Sequence, residues 1–343
     1  MKTKTIGLDI GSTSIRLVHL VREGNAFALD AIASIPQTTK GLASESLIDL
    51  QALSDSIKKL FDSANVRNKD VVLSIPESMV YTKIIQMPQL SDQELAAALK
   101  FEMEQYIPLP IDQVKTDWEV LSKNDATGRR TMDVMIVAAP IGLLQKYEKV
   151  MEMSGLTPDV IETEIVSAHR SLLPLVNSPD ANMIVHIGAT TTSLAVVKAG
   201  KIKMIFSIGL GGFAMTRSIS VDLGIDMDQA ENYKKAYGLS ESAFEGKIGR
   251  ALSPVLTSIA GDIKKAILLY REKNDNENIN QLVLSGGSAL LPGMDVYLTN
   301  ALSAQVVLGR AWVAYNIANV PQELQVQAPS FNVAVGLALR NLI

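Results

Sequence analysis

The chain has no cysteine among its 343 residues, which excludes a disulfide framework and a thiolate metal or redox site and fits the cytoplasm. It also lacks a basic run. Its net charge is −4, and the pairs Lys58-Lys59 and Lys264-Lys265 stand alone, as on solvated helix faces. Nucleic-acid binding leaves a basic stripe, so nucleic acid is not an expected partner. No uninterrupted apolar run approaches the ~18 residues that a spanning helix needs. The N-terminus enters a strand at Thr5 with no apolar signal core behind its basic start. Arg340-Asn341-Leu342-Ile343 carries no basic apolar tail of the kind that lies on a lipid surface. The expectation is a cytoplasmic protein with no direct membrane span, peripheral to a membrane only through partners.

What is present begins with Ile6-Gly7-Leu8-Asp9-Ile10-Gly11-Ser12-Thr13-Ser14. An apolar strand delivers a carboxylate at Asp9, and a glycine and three hydroxyls follow. Gly11 leaves room for a close approach of backbone N–H groups to an anion. Turn N–H groups with Ser and Thr hydroxyls form a phosphate cradle, and Asp9 stands where a phosphate-bound Mg²⁺ needs oxygen. The same pattern is also an ordinary turn. After a turn at Arg22-Glu23-Gly24-Asn25 the strand returns over 26–35. That βββ opening argues against a strand–helix dinucleotide fold.

The pattern recurs at Met183–Leu194. At a constant offset Asp9 falls on His186, Gly11 on Gly188, Thr13 on Thr190 and Ser14 on Thr191. A repeat of this kind implies a duplicated supersecondary unit. Facing turns from two such units would clamp a polyphosphate from both sides.

Between the copies, the spacing predicts a helix over 47–64, short strands at 71–75 and 79–87, and a helix over 91–106 opened by the capping box Ser91–Glu94. A hairpin follows, its strands at 115–121 and 131–139 joined by the polar turn Ser122–Arg130, and then a helix over 143–154 closed by Gly155. Residues 41–155 read as a compact α+β insert with its own core. The remaining divisions are 1–40 for the first unit, 156–178 for the return to it, and 179–329 for the second unit. Residues 213–275 of the latter are helical, and the final helix, within 330–343, packs back on the first unit. Val160–Leu173 starts as a strand and passes into a helix. Gly209–Gly212 reads as a flexible turn, 253–271 as a long helix and 309–329 as irregular. Glu231 and Lys234 share a helix face, as would a surface ion pair. Gly286-Gly287 suits a flat or neutral part of a ligand better than a phosphate.

These residues carry a family resemblance. The Asp-x-Gly-Ser-Thr-Ser opening and the His186–Thr192 turn resemble the two phosphate motifs of the actin, Hsp70 and sugar-kinase superfamily. Leu284–Ser288 with Leu291-Pro292-Gly293 is similar to the adenosine motif of its bacterial cell-division branch. Val72–Pro76, Met87-Pro88, Glu102–Pro108, Gly155-Leu156, and Gly211–Thr216 with Ala230-Glu231 and Lys234 resemble the type IV pilus-assembly family PilM. The resemblance implies an α/β, two-domain actin-like fold with a small inserted α+β domain. It also implies ATP and Mg²⁺ as ligands. Gly11, Ser12, Thr13, Ser14, Gly188, Thr190 and Thr191 would hold phosphate. Glu231, Lys234, Gly286 and Gly287 would hold adenosine, and Asp9 would serve the metal. The implied partner is the cytoplasmic N-terminal segment of a PilN-like membrane protein, lying between the first domain and the insert. The end of the 91–106 helix and the insert strands would form its groove.

One departure stands out. Superfamily members that hydrolyse ATP usually have aspartate where this chain has His186. Neutral imidazole is a poor substitute for the hard oxygen that Mg²⁺ prefers, and protonated imidazole would repel the metal. The expected function is an ATP-binding adaptor with slow or absent hydrolysis. Two alternatives are a small-molecule kinase, with Glu162 or Glu164 as its carboxylate, and a filament-forming protein like FtsA.

Overall fold

The computed structural model describes residues 3–37, 41–124 and 130–343. Residues 38–40 of the expected Pro36–Gly41 loop and 125–129 of the expected Ser122–Arg130 turn lie outside them. Three antiparallel strands open the chain: β1 (Thr3–Ile10), β2 (Ser14–Glu23) and β3 (Ala26–Pro36). Helix α1 (Leu47–Ser63) buries Leu50, Leu53, Ile57 and Leu60, which recur at helical spacing. Strand β4 (Asp70–Ile75) then pairs in parallel with β1. The chain leaves this sheet for β5 (Tyr81–Pro88), α2 (Asp92–Tyr106), β6 (Val114–Asn124) and β7 (Thr131–Pro140). It returns through α3 (Ile141–Ser154), β8 (Thr157–Thr163) and α4 (Glu164–Val176). The first sheet runs β3-β2-β1-β4-β8 and the small one β5-β7-β6.

The insert is therefore shorter than the expected 41–155. Helices α1 and α3 share one core with β1, β2 and β4, in which Leu53, Ile57, Tyr147 and Val150 pack with Ile6, Leu8 and Leu73. Only the stretch from β5 to β7 has its own sheet, and its core places Leu95, Leu99 and Met103 of α2 against Met132, Val134 and Ile136. The capping box of α2 is complete: the Ser91 side chain accepts from the Glu94 amide and Glu94 accepts from the Ser91 amide.

The second half repeats the first. Strands β9 (Ala181–Ile187), β10 (Thr192–Lys198) and β11 (Lys201–Ile208) form the meander. Helices α5 (Gly212–Leu223), α6 (Met227–Tyr237) and α7 (Lys247–Lys273) follow, then β12 (Ile279–Ser285), α8 (Met294–Leu302) and β13 (Gln305–Leu308). The order β11-β10-β9-β12-β13 matches the first sheet strand for strand. Helix α7 begins at Lys247 rather than near Ser253, with Pro254 inside it. Proline in a sequence suggests a helix start, but packing of Ile248, Ala251 and Leu252 carries the helix past it. Residues 309–329, expected to be irregular, hold the short helices α9 (Ala311–Ala314) and α10 (Gln322–Gln325).

Helix α11 (Ala328–Leu339) closes the fold, and all its residues except Ser330 are buried. It lies against β1 and α4 because glycines remove side chains at both contacts. A Cβ at Gly7 would stand 2.2 Å from the Ala334 carbonyl oxygen, and one at Gly336 would stand 1.8 Å from that of Ser167. Glu162 ties this corner together by pairing with Arg170 and Arg340. The insert, carried by the first half, leans on the second. Leu121 and Met135 pack in one cluster with Ile202 and Ala195, and Lys203 Nζ lies 2.7 Å from Asp133. Among the described residues no helix is long and apolar enough to cross a membrane.

Gly336→Ala should destabilise the protein by about 3 kcal/mol or more, because backbone blocks the new methyl group. Gly142→Ala, with nothing within 4 Å, should leave the melting temperature unchanged or raise it slightly. Thermal melts of the two variants check this pair. Equal melts would mean that the close contact of α11 with α4 is not a constraint.

Candidate functional site

The two repeated turns close in the same way. The Gly11 amide donates to the Ser14 carbonyl at 3.0 Å, and the Gly188 amide donates to the Thr191 carbonyl at 2.9 Å. A Cβ would stand 3.0 Å from that carbonyl oxygen at Gly11 and 3.1 Å at Gly188, so each glycine permits the same tight closure. Ser12, Thr13 and Thr190 are left exposed, and the Ser14 hydroxyl is buried with no partner. Both turns open on one cleft of about 560 Å³, and all twelve residues expected to bind ligand line it. They are Asp9, Gly11, Ser12, Thr13, Ser14, Gly188, Thr190, Thr191, Glu231, Lys234, Gly286 and Gly287.

Arg16 is the cation that the sequence reading missed. It faces Asp9 across the hairpin, its Nη1 lies 3.6 Å from Asp9 Oδ2, and the Phe331 ring lies beneath its guanidinium. The signal was available, since a hairpin closed on Gly11 and Ser14 pairs position 9 with position 16. Asp9 also accepts from Ser74 Oγ at 3.0 Å. Burial raises its pKa, and Arg16 and Ser74 oppose the rise. Glu164, the first residue of α4, lines the same cleft. Burial, then the charges of Asp9 and Glu77, push its pKa up to about 8, so the carboxyl is largely protonated at neutral pH. Glu162, the other carboxylate considered for a kinase, is bound by its two arginines and does not line the cleft.

His186 occupies the place of Asp9 in the second copy. Its Nδ1 lies 3.1 Å from Ser285 Oγ, and the ring is buried. Burial, reinforced by the Arg16 charge, lowers its pKa to about 4, so it stands neutral at the cleft wall.

The far end of the cleft is built by α5, α6 and the turn after β12. Gly211 and Gly212, expected to be a flexible turn, are packed instead. The Gly212 amide donates to the Gly188 carbonyl at 2.9 Å, and a Cβ at Gly211 would lie 2.7 Å from that oxygen. The pair Glu231–Lys234 is not at the surface. Lys234 is buried, lies 2.6 Å from Glu231, and donates to Thr216 Oγ1 at 2.8 Å and to the Gly212 carbonyl at 3.0 Å. Burial lowers the Lys234 pKa against the pull of Glu231. Burial acts to raise the Glu231 pKa, but the bonds from Lys234 and Thr216 outweigh it and hold the group ionised. The two final glycines differ in role. Gly286 has φ +88°, and a Cβ there would stand 2.4 Å from the Ile187 carbonyl, so the backbone requires it. Gly287 has nothing within 4 Å and leaves open floor.

The donor set fits a nucleotide polyphosphate. Two backbone cradles that a side chain would crowd, an orphan hydroxyl at Ser14, and the cations Arg16 and Lys234 all face one space. No group of three or more His, Cys, Asp or Glu that could hold a metal occurs among the described residues. A divalent ion would therefore rest on Asp9 or Glu164 and take its other ligands from phosphate and water, the usual habit of Mg²⁺.

The family described as "Type IV pilus assembly protein PilM" matches residues 7–342. The chain belongs to the PilM family. A chain of the solved PilM–PilN type IV pilus biogenesis complex is 28% identical, covers 99% of this chain and 98% of its own, and superposes with a TM-score of 0.86. Cell division protein FtsA of Streptococcus pneumoniae is 23% identical over 97% of this chain and 79% of its own. MreB 5 of Spiroplasma citri, solved with AMPPNP, is 15% identical, covers 91% of this chain and 94% of its own, and has a TM-score of 0.51, so it shares the fold alone. The fold of this PilM family member is actin-like.

A ring held neutral in the folded state takes up a proton on unfolding below its ordinary pKa. The contribution of His186 to stability is thus present above pH 6.5 and is lost as pH falls toward 4. His169, lowered by burial to about 4, has the same sign. Glu164, raised to about 8, has the opposite sign over the same interval, so the His186 part, at most about 3 kcal/mol, is a fall in urea midpoint read as the difference between wild type and variant. His186→Asn should flatten the fall. An unchanged profile in the variant would mean that His186 is not the titrating group.

Proposed function

We propose that the protein is an ATP-binding adaptor of type IV pilus assembly that holds ATP and Mg²⁺ and hydrolyses slowly or not at all. One observation carries this reading: the two hydroxyl-rich turns face each other across one cleft, with Asp9 on one side and a neutral His186 on the other. Bound Mg²⁺ would neutralise phosphate charge. Gly11, Ser12, Thr13 and Ser14 hold phosphate oxygens from the first half, and Gly188, Thr190 and Thr191 hold them from the second. Arg16 adds a cation beside Asp9. Lys234 and Glu231 face the nucleoside end, where Gly287 leaves space for a flat base. Activation of an attacking water needs an acceptor of adequate basicity, and the place of Asp9 in the second copy holds an imidazole whose pKa burial lowers to about 4. Glu164, with its raised pKa, holds its proton and is a poor base at neutral pH.

The partner reading rests on a second cavity, of about 240 Å³. Met103, Tyr106 and Ile107 at the end of α2 line it with Tyr81, Thr82 and Lys83 of β5 and with Ile205, Phe206 and Ser207 of β11. Its second wall therefore comes from β11 and not from the first sheet. β5 and β11 are both edge strands, which suits an extended peptide. The PilM–PilN complex supports a PilN-like partner, and we assign the groove to its cytoplasmic N-terminal segment, which would hold the protein at the inner membrane. Nucleotide that draws the halves together would set β11 against the insert and so shape the groove.

Lys234→Met should weaken ATP binding at least tenfold by equilibrium dialysis below the variant's melting temperature, and should also lower the melting temperature of the free protein, because Glu231 and the Gly212 carbonyl lose their donor. In single-turnover assays the wild type should leave ATP intact for hours, and His186→Asp should hydrolyse it faster. Rapid hydrolysis by the wild type would refute the adaptor reading. A synthetic peptide of the PilN-like N-terminal segment should raise the melting temperature of the full chain, and Phe206→Asp should abolish the rise.

A further inference from the structure

Glu77 lies outside the nucleotide cleft, yet it is one of the least comfortable groups in the molecule. It follows Pro76, which lines the cleft, and itself lines the groove between the insert and β11. It is 5% exposed, and neither carboxylate oxygen has a hydrogen-bond partner among the described residues. The hydroxyls of Thr82 and Thr163 lie beside it, as does the Ile165 amide at the start of α4, but none meets hydrogen-bond geometry. Both hydroxyls are buried and unpartnered too. Four buried oxygens thus gather at Glu77, its own two and those of Thr82 and Thr163, and of these residues Glu77 and Thr82 line the groove. The positive end of α4 accounts for a carboxylate being tolerated there. It leaves the remaining acceptor capacity unsatisfied, and native interiors rarely leave such groups without a donor.

The surroundings specify the missing donor. The groove walls next to Glu77 are apolar: Val80, Met103, Ile136 and Phe206. Lys83 is the one cation lining the groove, and it is exposed, with its Nζ 4.5 Å from the Tyr106 ring centroid. On the cleft side stands Glu164, a second carboxyl that burial keeps largely protonated, and burial raises the pKa of Glu77 as well, so among the described residues no cation stands there to stabilise its charge. A positive group entering from the groove would approach the buried Glu77 carboxyl beside the Thr82 hydroxyl, with the exposed Lys83 as the cation among the described lining residues.

We propose that Glu77 is a recognition residue of this groove, and that it accepts the ammonium or guanidinium of a lysine or arginine carried by the docked segment. This rests on the reading that the groove takes a partner segment. The apolar walls would hold the segment, and Glu77 would select its register, since a neutral residue placed there leaves the carboxylate unpaired.

A double-mutant cycle tests this on the full chain. The probe is a synthetic peptide of the PilN-like N-terminal segment, with each Lys or Arg replaced in turn by Met, and in one further version N-acetylated. Affinities are measured by calorimetry for wild type and Glu77→Gln. One basic substitution should weaken binding to wild type at least tenfold and change binding to Glu77→Gln less than twofold. Equal losses on both proteins would overturn the assignment. So would coupling to the acetylated terminus alone, which would assign Glu77 to the chain's amino group. Wild type that binds the peptide with no dependence on Glu77 overturns this inference only, whereas wild type that binds no peptide removes the groove reading with it. If Glu77→Gln does not fold, Glu77→Asp keeps the charge one methylene shorter and should weaken binding through the same peptide residue.

Discussion

Two backbone hydrogen bonds, Gly11 to Ser14 and Gly188 to Thr191, set the geometry on which the molecule depends. Each closes a turn so tightly that only glycine fits without crowding, and each turns the following hydroxyls outward. The closure also fixes hairpin register, and register decides what stands behind the phosphate cradle. In the first half it puts Arg16 opposite Asp9, and in the second it puts Ser193 opposite His186. The second turn is buttressed further, because the Gly212 amide and the Ser288 hydroxyl both reach the Gly188 carbonyl. The two ends of the cleft are thereby joined through a single peptide group.

The halves are duplicates in topology and unequal in charge. Asp9 is a buried acid kept in place by Arg16 and Ser74. His186 is a buried base kept neutral by the same burial and the same arginine. A single low-dielectric space thus raises the pKa of one group and lowers that of the other, and in both cases the neutral form gains. Such a site suits a highly charged ligand held through oriented dipoles.

The insert links this cleft to a second surface. It leaves the first half after β4, whose Ser74 touches Asp9, and it rests on β11, whose Ser207 pairs with Ser193 just beyond the second turn. Both walls of its groove therefore continue from the two walls of the cleft over a few residues.

The two turns, the hairpins and the α2 cap were legible in the sequence, because each depends on neighbours within about a dozen positions, whereas Glu231, Lys234, Gly286 and Gly287 were placed at the cleft by the family resemblance. Hairpin register follows from turn closure, so even Arg16 could have been found by counting. Only the tertiary structure decided the rest. The insert was drawn too wide because the parallel pairing of β1 with β4 joins residues some sixty-five positions apart, and no local period records such a contact. Spacing placed Glu231 and Lys234 on one helix face, but it left a surface pair and a cleft pair both open, because it does not say what covers that face. Gly211-Gly212 read as flexible for a related reason. Glycine permits mobility and close packing equally, and the Gly188 carbonyl that makes the choice lies on another strand. Local sequence determined which groups exist and which way the chain turns. Burial, which sets whether a group is charged, bonded or free, came from distant chain.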